Sequence, residues 1–221
     1  MAAIYLLRHG QASFGSADYD VLSPTGKRQA TVLGEELGRR QVPVHAVWSG
    51  TLRRQLATAE ACLPAAGIDV EVRQDPRLDE YDHLGLVPEG QAGDLTDLAA
   101  AARRFQTLLD DALRAWIEDG SAVGGSRTWA EFSGGAVDMV DAVFDDLPRG
   151  GSALVFTSAG VISAVCASLM SAPPAGFLAL NRTMANASIT KLVRGRSGVS
   201  LLSFNEHAHF EGEHRELLSY R

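Results

Sequence analysis

Three observations predict an α/β fold, a mostly parallel central sheet with helices on both faces and a helical insertion. First, Ala3-Ile4-Tyr5-Leu6-Leu7 is apolar without alternation and stops at Arg8-His9-Gly10, the pattern of a strand buried on both faces. Second, His45-Ala46-Val47-Trp48-Ser49 and Ser152-Ala153-Leu154-Val155-Phe156 repeat that pattern. Third, each of the three leads on to a segment with helical spacing, and this strand–helix rhythm predicts parallel pairing through right-handed crossovers. Ligands bind beyond the carboxyl ends of such strands, so polar residues there are the first candidates for function.

At 221 residues the chain is long enough for one domain, residues 1–221, carrying an insertion over about 79–147. Apolar content of 46% and charged content of 21% are those of an ordinary globular protein. The formal charge of −7 argues against a nucleic-acid or anionic-membrane partner. An anionic substrate would therefore need a local basic pocket. Cys62 and Cys166 stand far apart in apolar, helical-looking segments, which reads as buried free thiols rather than a disulfide or metal pair. No basic segment precedes an apolar leader, and no run approaches a membrane span. A reducing cytoplasm is the expected setting, and the sequence carries no readable signal of oligomeric state.

The elements follow in order. After the first strand, Gln11 to Asp20 is a polar loop. Ser23 is a candidate N-cap, Pro24 suits the first helical position, and Ala30, Leu33 and Leu37 keep one apolar face. Gly38-Arg39-Arg40 ends that helix as a solvated, dipole-favoured terminus. The second strand runs into Ser49-Gly50-Thr51 and a helix through about Leu63, with Arg53 and Arg54 in its first turn. Pro64 to Asp69 closes it, and Val70-Glu71-Val72 is a short strand or extended piece. Asp75 to Gly93 is acidic and rich in Pro, Gly and His, the composition of a functional loop. Asp94 to Glu118 is helical, with Leu95, Leu98, Phe105, Leu108, Leu109, Leu113 and Trp116 as its apolar face. Gly120 to Ser126 is a linker, and Trp129 to Leu147 a second helix that Gly134-Gly135 weakens by about 1 kcal/mol per glycine. The strand Ser152 to Phe156 leads through Thr157-Ser158-Ala159-Gly160 into an apolar helix to about Met170. Pro173-Pro174 breaks the chain. Ala187 to Val193 and Gly198 to Phe204 form a closing hairpin.

Arg8-His9, the segment Ser49 to Arg54, and Thr157-Ser158 thus stand at strand ends, and Leu78-Asp79-Glu80 adds carboxylates. Two arginines suit phosphoryl oxygens. A histidine ring nitrogen is a nucleophile near neutral pH, and a carboxylic acid can protonate a leaving group.

Leu7-Arg8-His9-Gly10-Gln11 resembles the signature of the histidine phosphatase superfamily, the phosphoglycerate mutase-like fold. The resemblance extends to Leu22-Ser23-Pro24-Thr25-Gly26 with Gln29-Ala30, to Ser49, Leu52, Arg54, Thr58 and Ala59, to Leu78 and Glu80, and to Asn186-Ala187-Ser188-Ile189-Thr190. It covers most of the chain; the helical insertion is its least diagnostic part. It implies a two-step phosphoryl transfer without a metal or other cofactor, on a small-molecule phosphoester or with free phosphate as ligand. By this analogy His9 attacks phosphorus, Arg8 and Arg54 stabilise the phosphoryl charge, and Glu80 protonates the leaving alcohol and then helps water attack.

The chain departs from the family pattern at one place. The family carries a second pocket histidine where Ser158 stands. A neutral hydroxyl in place of an imidazolium weakens one hydrogen bond by about 1 kcal/mol, roughly a tenfold loss. Coupling within the site can enlarge that loss. Ser158 is equally readable as a helix N-cap, alone or together with a phosphate contact through Ser158 and Ala159 at the helix N-terminus. Gln11 and Ser13 can line the pocket, Ser13 being better read as a loop hydrogen-bonder. Asp79, Asp82 and Glu89 compete with Glu80 for the acid role. His83 can stand in for the missing histidine but is better read as a surface residue, His207 and His209 read as a solvated segment with no evident third metal ligand, and Arg182 beside Asn181 can contact substrate near the rim.

A metal-independent phosphatase is the leading expectation, ahead of a catalytically weakened phosphate-binding protein and a phosphoglycerate-type mutase, which would have to protect a phosphohistidine from water. A serine hydrolase at Ser158 is set aside, because a nucleophile elbow needs glycine where Phe156 stands.

Overall fold

The computed structural model describes residues 1–13, 20–86, 98–120 and 127–220, without the side chains at 83, 84, 98–103 and 105. Six strands form one sheet: β1 (Ala2–Arg8), β2 (Val44–Ser49), β3 (Val72–Gln74), β4 (Ser152–Thr157), β5 (Ile189–Gly195) and β6 (Gly198–Glu206). Their spatial order is β3-β2-β4-β1-β5-β6. β1 pairs with β4, and β2 with both β4 and β3, in parallel. The β5–β6 hairpin closes the other edge antiparallel to β1. The sheet is mixed but mostly parallel, as its apolar runs predict.

Along β1 the side chains alternate between two cores. Ala3, Tyr5 and Leu7 pack with Leu33, Leu37, Cys62 and Phe210 on one face. Ile4 and Leu6 pack with Phe132, Met139, Val161 and Phe177 on the other. The first face is covered by α1 (Pro24–Arg39) and α2 (Arg53–Ala65), the second mainly by α5 (Trp129–Asp146), α6 (Ala159–Leu169) and α7 (Pro174–Thr183). Between β3 and β4 also lie α3 (His83–Leu86) and α4 (Leu98–Asp119). Within that stretch α5 buries Phe132, Ala136, Met139, Val140, Val143 and Phe144, so it builds the core of its face. An aromatic cluster of Tyr81, Trp116, Trp129, Phe132 and Phe177 joins this region to α7, with ring centroids 4.7–5.9 Å apart.

Several boundaries follow local chemistry. The Ser23 hydroxyl accepts from the Gly26 N–H and Pro24 opens α1, as read from the sequence. Thr128 and Glu131 cap α5 reciprocally. Cys62 and Cys166 are free and buried, and burial pushes both thiols up to about 12.

Four sequence expectations need correction. The third strand lies two residues later than Val70–Val72. Pro64 lies inside α2 rather than closing it. Pro173-Pro174 does not simply break the chain: Pro174 is the first residue of α7, where its missing N–H leaves no bond unmade. His209 is not solvated: its ring is packed inward with Nε2 3.0 Å from the Ala187 carbonyl oxygen. Burial lowers its pKa to about 4. Leu95, Glu89 and the linker 121–126 lie outside the described residues.

Candidate active site

Backbone geometry at the end of β1 sets the site. The Arg8 N–H bonds to the Ser188 carbonyl and the His9 N–H to the Thr157 carbonyl, 3.1 and 2.9 Å away. The His9 carbonyl in turn accepts from the Ala187 N–H at 3.2 Å. The Arg-His peptide is thereby clamped between β4 and β5. Gly10 follows because no Cβ fits: one there would lie 2.4 Å from the Gly26 carbonyl oxygen of α1. The Gly10 N–H donates to Thr58 Oγ1 of α2, which itself donates to the Arg54 carbonyl.

The His9 ring is buried and its orientation is fixed. Nδ1 lies 2.7 Å from the Gly10 carbonyl oxygen, and a carbonyl only accepts, so Nδ1 carries the hydrogen. Nε2 then holds the lone pair, and Arg54 Nε donates to it at 3.2 Å. This is the tautomer in which Nε2 is a nucleophile.

Arg54 is 5% exposed and projects from the first turn of α2. Its guanidinium pairs with Asp20 at 2.6 Å, and Asp20 also accepts from the Arg53 N–H at 2.8 Å. Asp20 therefore orients the arginine and completes the start of α2. Arg8, also buried, donates to the Met184 carbonyl and, at 3.2 Å, to the Tyr220 carbonyl.

Glu80 reaches the start of α6. The Gly160 N–H donates to one carboxyl oxygen at 3.2 Å and the Tyr81 N–H to the other at 3.3 Å. Removal from water raises the Glu80 pKa, against the opposing pull of the Gly160 N–H and of Arg54 and Arg8. A raised carboxyl beside two arginines is suited to carrying a proton. Of the competitors, Asp79 is engaged by the turn before α2, accepting from the Thr51 N–H and hydroxyl at 2.5 Å. Asp82 accepts from the Gly85 N–H at the start of α3. The His83 side chain and Glu89 lie outside the described residues.

Ser158 is fully buried at the N-cap position of α6, but its side chain makes no cap bond, so the capping reading is corrected. Its hydroxyl oxygen instead accepts from Gln55 Nε2 at 2.8 Å. Ala159 is the first residue of α6 and brings no polar side chain. The helix N–H at Gly160 is directed to Glu80. Gln11 is tied to α1: its N–H donates to Gln29 Oε1 and its side-chain oxygen accepts from the Ser23 hydroxyl. Ser13 donates its N–H to the Val21 carbonyl within the loop. Arg182 pairs with buried Asp110 of α4, while Asn181 donates to the Tyr81 hydroxyl. Among the described residues no three His, Cys, Asp or Glu side chains group as a metal site.

Asp20 and Gln55 were missed from the sequence. Gln55 carried one signal: it stands three residues after the helix N-cap Leu52, where a glutamine reaches back to the cap N–H, as Gln55 Oε1 does at 3.3 Å. Asp20 carried none beyond being an acid in a loop.

No curated protein matches the chain. Solved structures do. The mycobacterial glucosyl-3-phosphoglycerate phosphatase is 27% identical over 93% of this chain and 99% of its own, with a TM-score of 0.68. It has also been solved with inorganic phosphate (27%, 94% and 98%, TM-score 0.66). A phosphoserine phosphatase variant from Entamoeba histolytica, 20% identical over 95% and 99% with a TM-score of 0.68, shares the fold. The model of the histidine phosphatase superfamily (branch 1) matches residues 4–207, so the chain belongs to that superfamily.

Proposed function

We propose that this protein is a phosphatase of small phosphoesters that works through a phosphohistidine at His9 without a metal, and that residues 1–221 act as one domain. The observation that carries this reading is the His9 ring: Nδ1–H held by the Gly10 carbonyl, and the Nε2 lone pair beside the buried Arg54. Nε2 attacks phosphorus, the phosphorus–oxygen ester bond breaks, and the departing alkoxide takes the Glu80 proton. Water then attacks phosphorus, Glu80 receives its proton, and the phosphorus–nitrogen bond breaks to release phosphate. Arg8 and Arg54 offset the equatorial charge in both steps. Gln11, Ser13, Ser158 and Ala159 line the phosphoryl side of the pocket. The phosphatases among the structural relatives support the reaction class, and two free buried thiols fit a reducing cytoplasm.

A second reading, a phosphate-binding protein with weakened turnover, is favoured by the neutral Ser158–Gln55 pair. The two are separated by phosphate release from p-nitrophenyl phosphate in the presence of chelator, for wild type and His9→Ala. Turnover abolished by His9→Ala supports the phosphatase. Phosphate binding without turnover in wild type supports the second reading.

A further inference from the structure

We propose that Gln55 is a positioning residue that fixes the Ser158 hydroxyl as a hydrogen-bond donor to the phosphoryl group and anchors the loop bearing Glu80. The proposal rests on the phosphate-site reading above. Gln55 and Ser158 are both fully buried. The Gln55 amide nitrogen lies 2.8 Å from Ser158 Oγ and 2.9 Å from the Leu78 carbonyl oxygen. Both amide hydrogens are thus committed, while Oε1 accepts from the Leu52 N–H.

This arrangement sets the polarity of the serine. An oxygen that accepts from Gln55 has its own hydrogen left to give. The side chain makes no cap bond, and no acceptor for that hydrogen is found among the described residues. Thr157, the preceding residue, gives its carbonyl to the His9 N–H, so the serine stands at the edge of the phosphoryl site. A phosphoryl oxygen is the acceptor the hydroxyl lacks. The same glutamine acts on the acid loop. Leu78, two residues before Glu80, has its carbonyl doubly engaged, by Gln55 and by the Thr157 hydroxyl at 2.6 Å. One buried amide therefore links the start of α2, the end of β4 and the segment carrying the proton donor.

The test uses inorganic phosphate affinity by calorimetry, which does not depend on turnover, beside kcat and KM for p-nitrophenyl phosphate. The variants are Ser158→Ala, Gln55→Leu, the double variant and Gln55→Glu. Loss of the serine donor weakens phosphate binding about tenfold, and Gln55→Leu does the same by leaving the hydroxyl unoriented. The double variant then loses no more than the single ones, and the losses sit in KM more than in kcat. Gln55→Glu keeps size and shape but reverses the bond, drawing the hydroxyl hydrogen to the carboxylate; it weakens phosphate at least as much as Gln55→Leu. It also serves if Gln55→Leu fails to fold. A double variant that loses the product of the single effects overturns the proposal, as does a folded Gln55→Glu protein that binds phosphate like wild type. Coupled phosphate losses without any wild-type turnover would sink the phosphatase and leave this proposal standing. Turnover dependent on His9 with phosphate affinity indifferent to Gln55 would do the reverse.

Discussion

Glu80→Gln separates two properties that the active-site geometry joins, proton donation and stability. The amide retains the carboxyl's size and one oxygen to accept from the Gly160 N–H at 3.2 Å, so the loop is expected to hold its place. The transferable proton is lost. General-acid assistance contributes about 10²–10⁴-fold, or ~3–5 kcal/mol of barrier, but only where the leaving oxygen needs a proton. For an alkyl phosphate, kcat falls by that factor. For p-nitrophenyl phosphate, whose phenolate leaves unaided, the fall is less than about tenfold. Stability moves the other way. Burial raises the Glu80 pKa above its unfolded value, so its favourable contribution is full below the unfolded pKa and is lost as pH rises through the folded one. The variant does not titrate there, so its Tm gains on wild type as pH rises above the ordinary carboxylate value. The assays are steady-state kinetics on both substrate types and thermal melts across pH. Equal kcat losses on the two substrates would refute the general-acid role, and a pH-independent Tm difference would refute the raised pKa.

Other perturbations probe the supports. Gly160→Ala places a Cβ 2.1 Å from Glu80 Oε1 and 2.5 Å from the Tyr81 ring; displacement of the acid lowers kcat on alkyl phosphates more than about tenfold, with ~1–3 kcal/mol of stability lost in denaturant titration. Gly26→Ala meets the Gln11 carbonyl oxygen at 2.1 Å, where both partners are backbone, and costs about 1–3 kcal/mol by the same measurement. Asp20→Asn removes the charge that holds Arg54 at 2.6 Å and raises KM for p-nitrophenyl phosphate about tenfold with a smaller change in kcat.

The parts legible in the sequence are those whose physics is local. β1, β2 and β4 are buried central strands, so their apolar runs announce them, and Arg8, His9 and Arg54 stand directly at their ends or in the helix that follows. Ser23-Pro24 announces a helix start because a cap and a proline act within one turn. β3 is a three-residue edge strand with two exposed positions, too short and too polar for periodicity to place. α7 was hidden because a proline pair reads as a break until its second member is seen at a first helical position. His209 looked solvated because it lies in a short, charged segment near the C-terminus with no apolar periodicity, and the carbonyl that receives it belongs to a residue 22 positions away. Gln55 and Asp20 escaped for the same reason. Their partners, Ser158 at 103 positions and Arg54 at 34, meet them only once β4, α2 and the loop after β1 converge. Conversely, the capping reading of Ser158 failed because a distant glutamine competes successfully for its oxygen.

In the proposed mechanism the His9 ring nitrogen takes the phosphoryl group. The most direct test is rapid mixing with a labelled small phosphoester, quenching in base, and mass spectrometry of the peptide containing His9. The expected result is a phosphoryl group on His9 that survives base, is released by acid, and is absent in His9→Ala. Turnover in wild type with phosphate released and no label on His9 at any time, or with label on Ser158 instead, would contradict it.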